Sequence, residues 1–248
     1  GYPPLMANLF KNNGMETVKI FKKVKQMGIT TSLDMALPDP ESAAGKVNWQ
    51  AVLSNLLPFV DIAPFSAEEA MFMINRKRFD EIKQKCKGKD PIEFYSTEDF
   101  IYVATSLLNY GTKIVVLKCG AKGMLLVTGN AKTFKNIGKA TPAINQWENK
   151  ILWHEPFMVK RIVSSTGAGD NAIAGFLAAF LKGCTPEIAL SVACCTGAQN
   201  LYVPDAISGV KTWNETIALL KKWKLKKIIP GKGWKYNHEL QIWTRNDN

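Results

Sequence analysis

Apolar positions step through residues 14–27 (GMETVKIFKKVKQM) at helical spacing. Val18, Phe21, Val24 and Met27 recur every third residue and, with Ile20, form one stripe. Lysines fill the other side, so the stretch predicts an amphipathic helix with Gly28 as its C-terminal stop. Residues 29–35 (ITTSLDM) are rich in β-branched types and predict a strand. The alternation continues. Residues 48–57 predict a helix capped by Asn48, and residues 59–63 a short buried strand. Ser66, with Glu69 three residues on, predicts a capping box at the start of the next helix. Thr97 and Asp99 lead a helix over 97–110 that Gly111 ends, and residues 113–118 predict a strand. Residues 124–128 and 131–136 predict a hairpin around Gly129 and Asn130. Residues 138–156 show weak periodicity and are read as a loop. A strand over 157–163 then leads to two alanine-rich helices, 169–182 and 186–200, apolar on all sides. A last helix at 212–223 precedes an irregular tail.

Helix and strand alternate without an internal repeat or a clear linker. The pattern predicts one α/β domain over residues 1–248, its mostly parallel sheet covered by helices on both faces. In such folds ligands bind beyond the carboxyl ends of the strands.

Composition narrows the classes. With 248 residues and 46% hydrophobic content, the chain is long enough for a full core. Its net charge of +11 attracts anions, such as phosphorylated small molecules. Lysines cluster at 19, 22, 23 and 25 and again over 221–227. Solvated helix faces account for them, and no nucleic-acid-binding motif accompanies them, so no nucleic-acid partner is expected. No apolar run approaches the ~20 residues of a membrane span, and no signal peptide is visible, so no membrane partner is expected. Five cysteines, an odd number without a C-x-x-C pair, argue against a disulfide framework or a zinc site. Buried reduced thiols in a cytoplasmic protein are expected.

The candidate chemistry lies in residues 164–170, SSTGAGD, between a predicted strand and an apolar helix. A helix amino end offers unpaired N–H groups and partial positive charge, and glycines let an anion approach the backbone. Gly167, Ala168 and Gly169 therefore suit a phosphoryl group. Asp170 beside them is suited to take a proton from an attacking hydroxyl, although a helix-capping role fits the local pattern equally well. A Walker loop is excluded, because no Gly-Lys-Ser/Thr follows the glycines. His154 and His238 lie near no motif.

TGAGDNAIAGFLAAFLKG closely resembles the C-terminal signature of the PfkB/ribokinase family of carbohydrate kinases. VDIAPFSAEEA, IVVLKCGAKGMLL and ACCTGAQN resemble three further family segments in the family's order, so the resemblance runs over roughly residues 14–210. It implies a three-layer ribokinase-like fold. It also implies an ATP-dependent kinase that phosphorylates a hydroxyl of a sugar or sugar-like small molecule. Asp170 would be the general base, and the amides of Gly167, Ala168, Gly169 and Asp170 the anion hole. Lys118, Gly120 and Gly123 would line the nucleotide, Cys194 would stand near adenine, and Glu69 would help place Mg²⁺.

The pattern also departs from the family. Ser66 replaces the usual Asn, and Ser164 stands where Asp is common, which leaves monovalent-cation dependence open. The chain starts at Gly1 with sequence like that of a mid-domain. It is therefore expected to lack the family's N-terminal sugar-gripping segment and lid. The resemblance allows a homodimer. Asp34 and the 138–156 segment are candidates for the substrate side. The alternative is a non-catalytic nucleotide-binding or regulatory protein on the same fold.

Overall fold

A computed structural model describes residues 3–245. Helix α1 (Ala7–Gln26) breaks at residues 11–14, where the backbone leaves helical geometry, and resumes as the predicted amphipathic helix. Gly28, at positive φ, ends it. The predicted strand at 29–35 is an extended segment with a single parallel bridge, Ser32 to Ile62. Helix α2 (Trp49–Leu56) is capped by the Asn48 side chain as expected. Strand β1 (Ile62–Ala63), helix α3 (Ala67–Ile74) with its capping box, and helix α4 (Arg76–Cys86) follow.

Helix α5 (Thr97–Asn109) starts at the predicted residue and ends one residue short of the predicted range, but its cap precedes Thr97. Ser96 is the cap, and Asp99 completes its box. Strands β2 (Ile114–Lys118) and β3 (Met124–Thr128) form the tight hairpin of this region. The predicted hairpin around Gly129 and Asn130 is absent, because Asn130 caps a short helix, α6 (Ala131–Phe134), with its side chain. The predicted loop over 138–156 holds helix α7 (Ile144–Trp147) and strand β4 (Ile151–His154). Residues 157–163 form no strand; Phe157 alone bridges to Leu225. Helices α8 (Ala168–Leu181), α9 (Pro186–Asn200) and α10 (Trp213–Lys222) agree with the predicted ranges to within a residue. Only α9 is buried nearly all round, while α8 keeps an exposed stripe. The tail is a hairpin, β5 (Trp234–Asn237) and β6 (Ile242–Arg245).

The sheet has the order β1-β2-β3-β4-β6-β5. β1 pairs with β2 in parallel, and the other ladders are antiparallel. The sheet is thus mixed, and parallel pairing is confined to the β1 side with the bridges at Ser32 and Ser66.

Strand periodicity builds two cores. Val115, Leu117, Leu125, Val127 and Trp153 face the layer of α1 to α5, whereas Ile114, Val116, Met124, Leu126 and Leu152 face α8 and α9. Helices therefore cover both sheet faces. α8 and α9 approach closely: a Cβ at Gly175 would lie 2.2 Å from Thr196 Oγ1. That hydroxyl is itself held by the Asn171 carbonyl at 3.0 Å.

A buried charge ties α1 to this frame. Asp61 is fully buried and accepts from Lys25 Nζ at 2.7 Å and from the Thr31 amide at 2.8 Å, with Lys113 Nζ at 3.2 Å. Lys25 is therefore half-buried and turned onto the interior Asp61, unlike the exposed Lys22 and Lys23.

Candidate active site

Three segments end at one place. The extended segment after Ser32 delivers Asp34, and β2 ends at Lys118. The link after β1 delivers Ser66, which bridges Lys118 in parallel fashion. Lys118 Nζ lies 3.0 and 3.1 Å from the two Asp34 oxygens. A Cβ built on Gly169 would lie 3.8 Å from the same Nζ, so the lysine stands directly against the first turn of α8. The site thus occupies the carboxyl ends of the parallel part of the sheet, where α/β folds bind ligands.

The α8 turn explains the glycines. Gly167 has φ 74°, and a Cβ there would lie 2.3 Å from the Ala206 carbonyl oxygen, so no other residue fits. The helical ladder begins with Asn171 N–H to Gly167 O at 2.9 Å. The amides of Gly167, Ala168, Gly169 and Asp170 therefore precede it and carry the positive end of the helix dipole. That of Ala168 donates to Ser165 O at 3.2 Å. Asp170 is exposed at this turn and not sealed in the core.

Carboxylates crowd around the lysine. Burial pushes the Asp34 carboxyl above its usual range, with Asp170 adding to the rise and Lys118 opposing it. Burial likewise pushes Glu69 up to about 7; Asp34 adds, while Lys118 and the Ser66 amide oppose. Glu69 also closes the capping box, its Oε2 accepting from the Ser66 amide at 2.7 Å. Asp34 and Glu69 thus share the field of one cation, and the Asp170 charge acts on Asp34.

Of the other predicted nucleotide residues, Gly120 and Gly123 lie just beyond Lys118 in the chain and Cys194 lies on α9. Gly120 (φ 51°) lies exposed in the turn between β2 and β3. Gly123 (φ 95°) is required by the fold alone, because a Cβ would lie 2.0 Å from the His154 carbonyl oxygen. Cys194 is buried on α9, where burial and the neighbouring Cys119 and Cys195 push its thiol well up. The segment 138–156 contributes β4 to the sheet and no side chain to this cluster. His154 is core: burial holds it neutral, with a pKa down to about 4, and Nδ1 donates to Glu155 O at 2.6 Å. Sequence reading missed Asn171 and Asn200, whose side chains bind the turn's carbonyls. The only signal was an amide side chain following Asp170 and another closing α9.

Residues 11–213 match the pfkB family of carbohydrate kinases. The chain belongs to that family. This pfkB-family chain is 30% identical over 95 residues to 1-phosphofructokinase of Borreliella burgdorferi, a stretch covering 38% of the chain and 25% of that enzyme. Its fold matches Arabidopsis thaliana ribokinase complexed with ribose and ATP, with TM-score 0.58 and 20% identity, over 84% of this chain and 53% of that one. It also matches Vibrio cholerae fructokinase bound to fructose, ADP and calcium, with TM-score 0.54 and 20% identity, over 86% and 58%. The fold is therefore ribokinase-like. The chain spans about half the length of these solved relatives.

The pfkB resemblance implies Mg²⁺, and the donors suit it in kind. Asp34 and Glu69 offer hard oxygen donors; burial is the main cause that raises both carboxyls, and a cation beside them would favour their ionised forms. Among the described residues no group of three or more His, Cys, Asp or Glu is placed to hold a metal by itself. One or two carboxylates plus substrate phosphates are the usual magnesium set. Among the described residues, no helix is long and apolar enough to cross a membrane.

Proposed function

We propose that this chain carries the phosphoryl-transfer machinery of an ATP-dependent kinase acting on a hydroxyl of a sugar or sugar-like molecule. One observation carries the reading: Lys118 stands against Gly169 in the first turn of α8, next in sequence to the exposed Asp170, beyond the carboxyl ends of the parallel strands. The acceptor oxygen forms a bond to the γ-phosphorus while the bond to the β–γ bridging oxygen breaks, which releases ADP. Asp170 takes the hydroxyl proton. The first-turn amides and Lys118 offset charge on the transferring oxygens. Glu69 and Asp34 would hold Mg²⁺, which when bound supplies charge neutralisation at the phosphates. Gly120 leaves the backbone open to the nucleotide, and Cys194 would stand near its base.

The relatives' names, which point to ribose, fructose and a phosphofructose, support a sugar-like acceptor in this reading. The test is phosphate transfer from ATP to a panel of those sugars. Asp170→Asn is expected to lower kcat by ~10²–10⁴-fold with little change in ATP affinity. Equal turnover in the variant would remove Asp170 from the mechanism. A second reading rests on the Lys118–Asp34 pair and the Ser66–Glu69 box, which engage both side chains with protein partners. It is a nucleotide-binding or regulatory protein, and it gives saturable ATP binding without turnover.

A further inference from the structure

Two asparagines hold the backbone of the phosphoryl turn from behind. Asn200, the last residue of α9, is fully buried. Its Nδ2 donates to Thr166 O at 2.8 Å and to Asp205 O at 3.0 Å, while its Oδ1 accepts from Gly209 N at 3.3 Å. Asn171, in the first turn of α8, donates from Nδ2 to Gly167 O at 2.8 Å and to Ala206 O at 2.6 Å. Each amide therefore joins one carbonyl of the SSTGAGD turn to one carbonyl of the 205–209 loop.

The pairing answers an electrostatic problem. Gly167 presses against Ala206 so closely that a Cβ would not fit. Four carbonyl oxygens from two loops then face a common seam, and their dipoles repel unless donors stand between them. A side-chain amide supplies two N–H donors and an acceptor, which matches the three bonds at Asn200. A carboxylate of the same size supplies none of the donors.

We propose that Asn171 and Asn200 are positioning residues for phosphoryl transfer. They fix the 205–209 loop as a backing for the anion-binding turn. The amides of Gly169 and Asp170 and the Asp170 carboxylate are thereby set before ligand arrives. This rests on the kinase reading above, and the experiment separates the two.

The experiment compares the whole chain with Asn171→Ala, Asn200→Ala and Asn200→Asp. Hydrogen exchange is read over 164–170 and, as an internal reference, over 172–181. Turnover is read with ATP and the sugar panel. Exchange over 164–170 is expected to quicken about tenfold in all three variants with the reference segment unchanged. The expected kcat falls by about 10–100-fold while the KM for ATP stays within about threefold, since small misplacement of the groups costs rate more than binding. Asn200→Asp is expected to be as impaired as Asn200→Ala; full activity in Asp would show that Asn200 only fills space and would overturn the proposal. Unchanged exchange over 164–170, or unchanged kcat, in the alanine variants would overturn it too. If the wild-type chain neither binds ATP nor turns over, the kinase reading fails first, and the positioning role fails with it.

Discussion

Glu69 holds two roles in one carboxylate: it caps α3 through the Ser66 amide, and it shares a buried field with Asp34 and Lys118. Its pKa, raised to about 7 chiefly by burial, has a consequence for stability. Between pH 4.5 and 7 the folded chain keeps a proton there that the unfolded chain has lost. That stabilisation is complete below the unfolded value and is lost as pH rises through the folded one. Urea unfolding at several pH values is expected to show wild type losing on the order of 3 kcal/mol relative to Glu69→Gln across this window. His154, pushed down to about 4 by burial, acts in the opposite direction in the same range and cancels in the comparison. Parallel pH profiles would contradict the raised carboxyl. The residues of this cluster differ in how far sequence exposes them. Asp170 and its glycines announce themselves by spacing. The ion pair of Lys118 with Asp34 joins residues 84 positions apart, and no local pattern foretells it.

At the element scale, the strength of periodicity decided what was legible. α2, α3, α8, α9 and α10 carry clear caps or continuous apolar runs and fall within a residue or two of their predicted ranges. The hairpin expected after β3 failed because Asn130 accepts from the amides of Lys132 and Thr133 and nucleates a helical turn instead. β4 and the β5–β6 hairpin escaped notice because each strand is only four residues long. Their partners supply what their sequence lacks: Trp153 pairs with Trp243 across β4 and β6. Trp153 also packs edge-on against Trp234 of β5, at 6.2 Å. Lys25 was hidden differently, as one lysine among several on α1. Removing its partner tests the inward role. Asp61→Asn leaves the buried Lys113 and half-buried Lys25 ammonium groups facing a neutral amide and is expected to cost about 3–5 kcal/mol in urea unfolding. A cost near zero would show that Asp61 does not anchor α1.

For the whole molecule, the mixed sheet divides labour. Its antiparallel β2-β3-β4-β6-β5 part is a platform with one core on each face. Its parallel side aims Asp34, Ser66 and Lys118 at the amino end of α8. The alternation of helix and strand made the α/β class legible, and the glycine turn made the family legible. The direction of the later strands was not, because short connections favour antiparallel neighbours that hydrophobic pattern alone does not distinguish. The account stands on the amino end of α8 as the seat of a phosphoryl group. Its most direct test is an amide-shift titration of isotope-labelled chain with ADP, magnesium and beryllium fluoride, which together mimic the terminal phosphate. The account predicts saturable shifts centred on Gly167, Gly169 and Asp170, with Lys118 and Glu69 following. Saturable binding that leaves the α8 turn unmoved, or no binding at all, would contradict it.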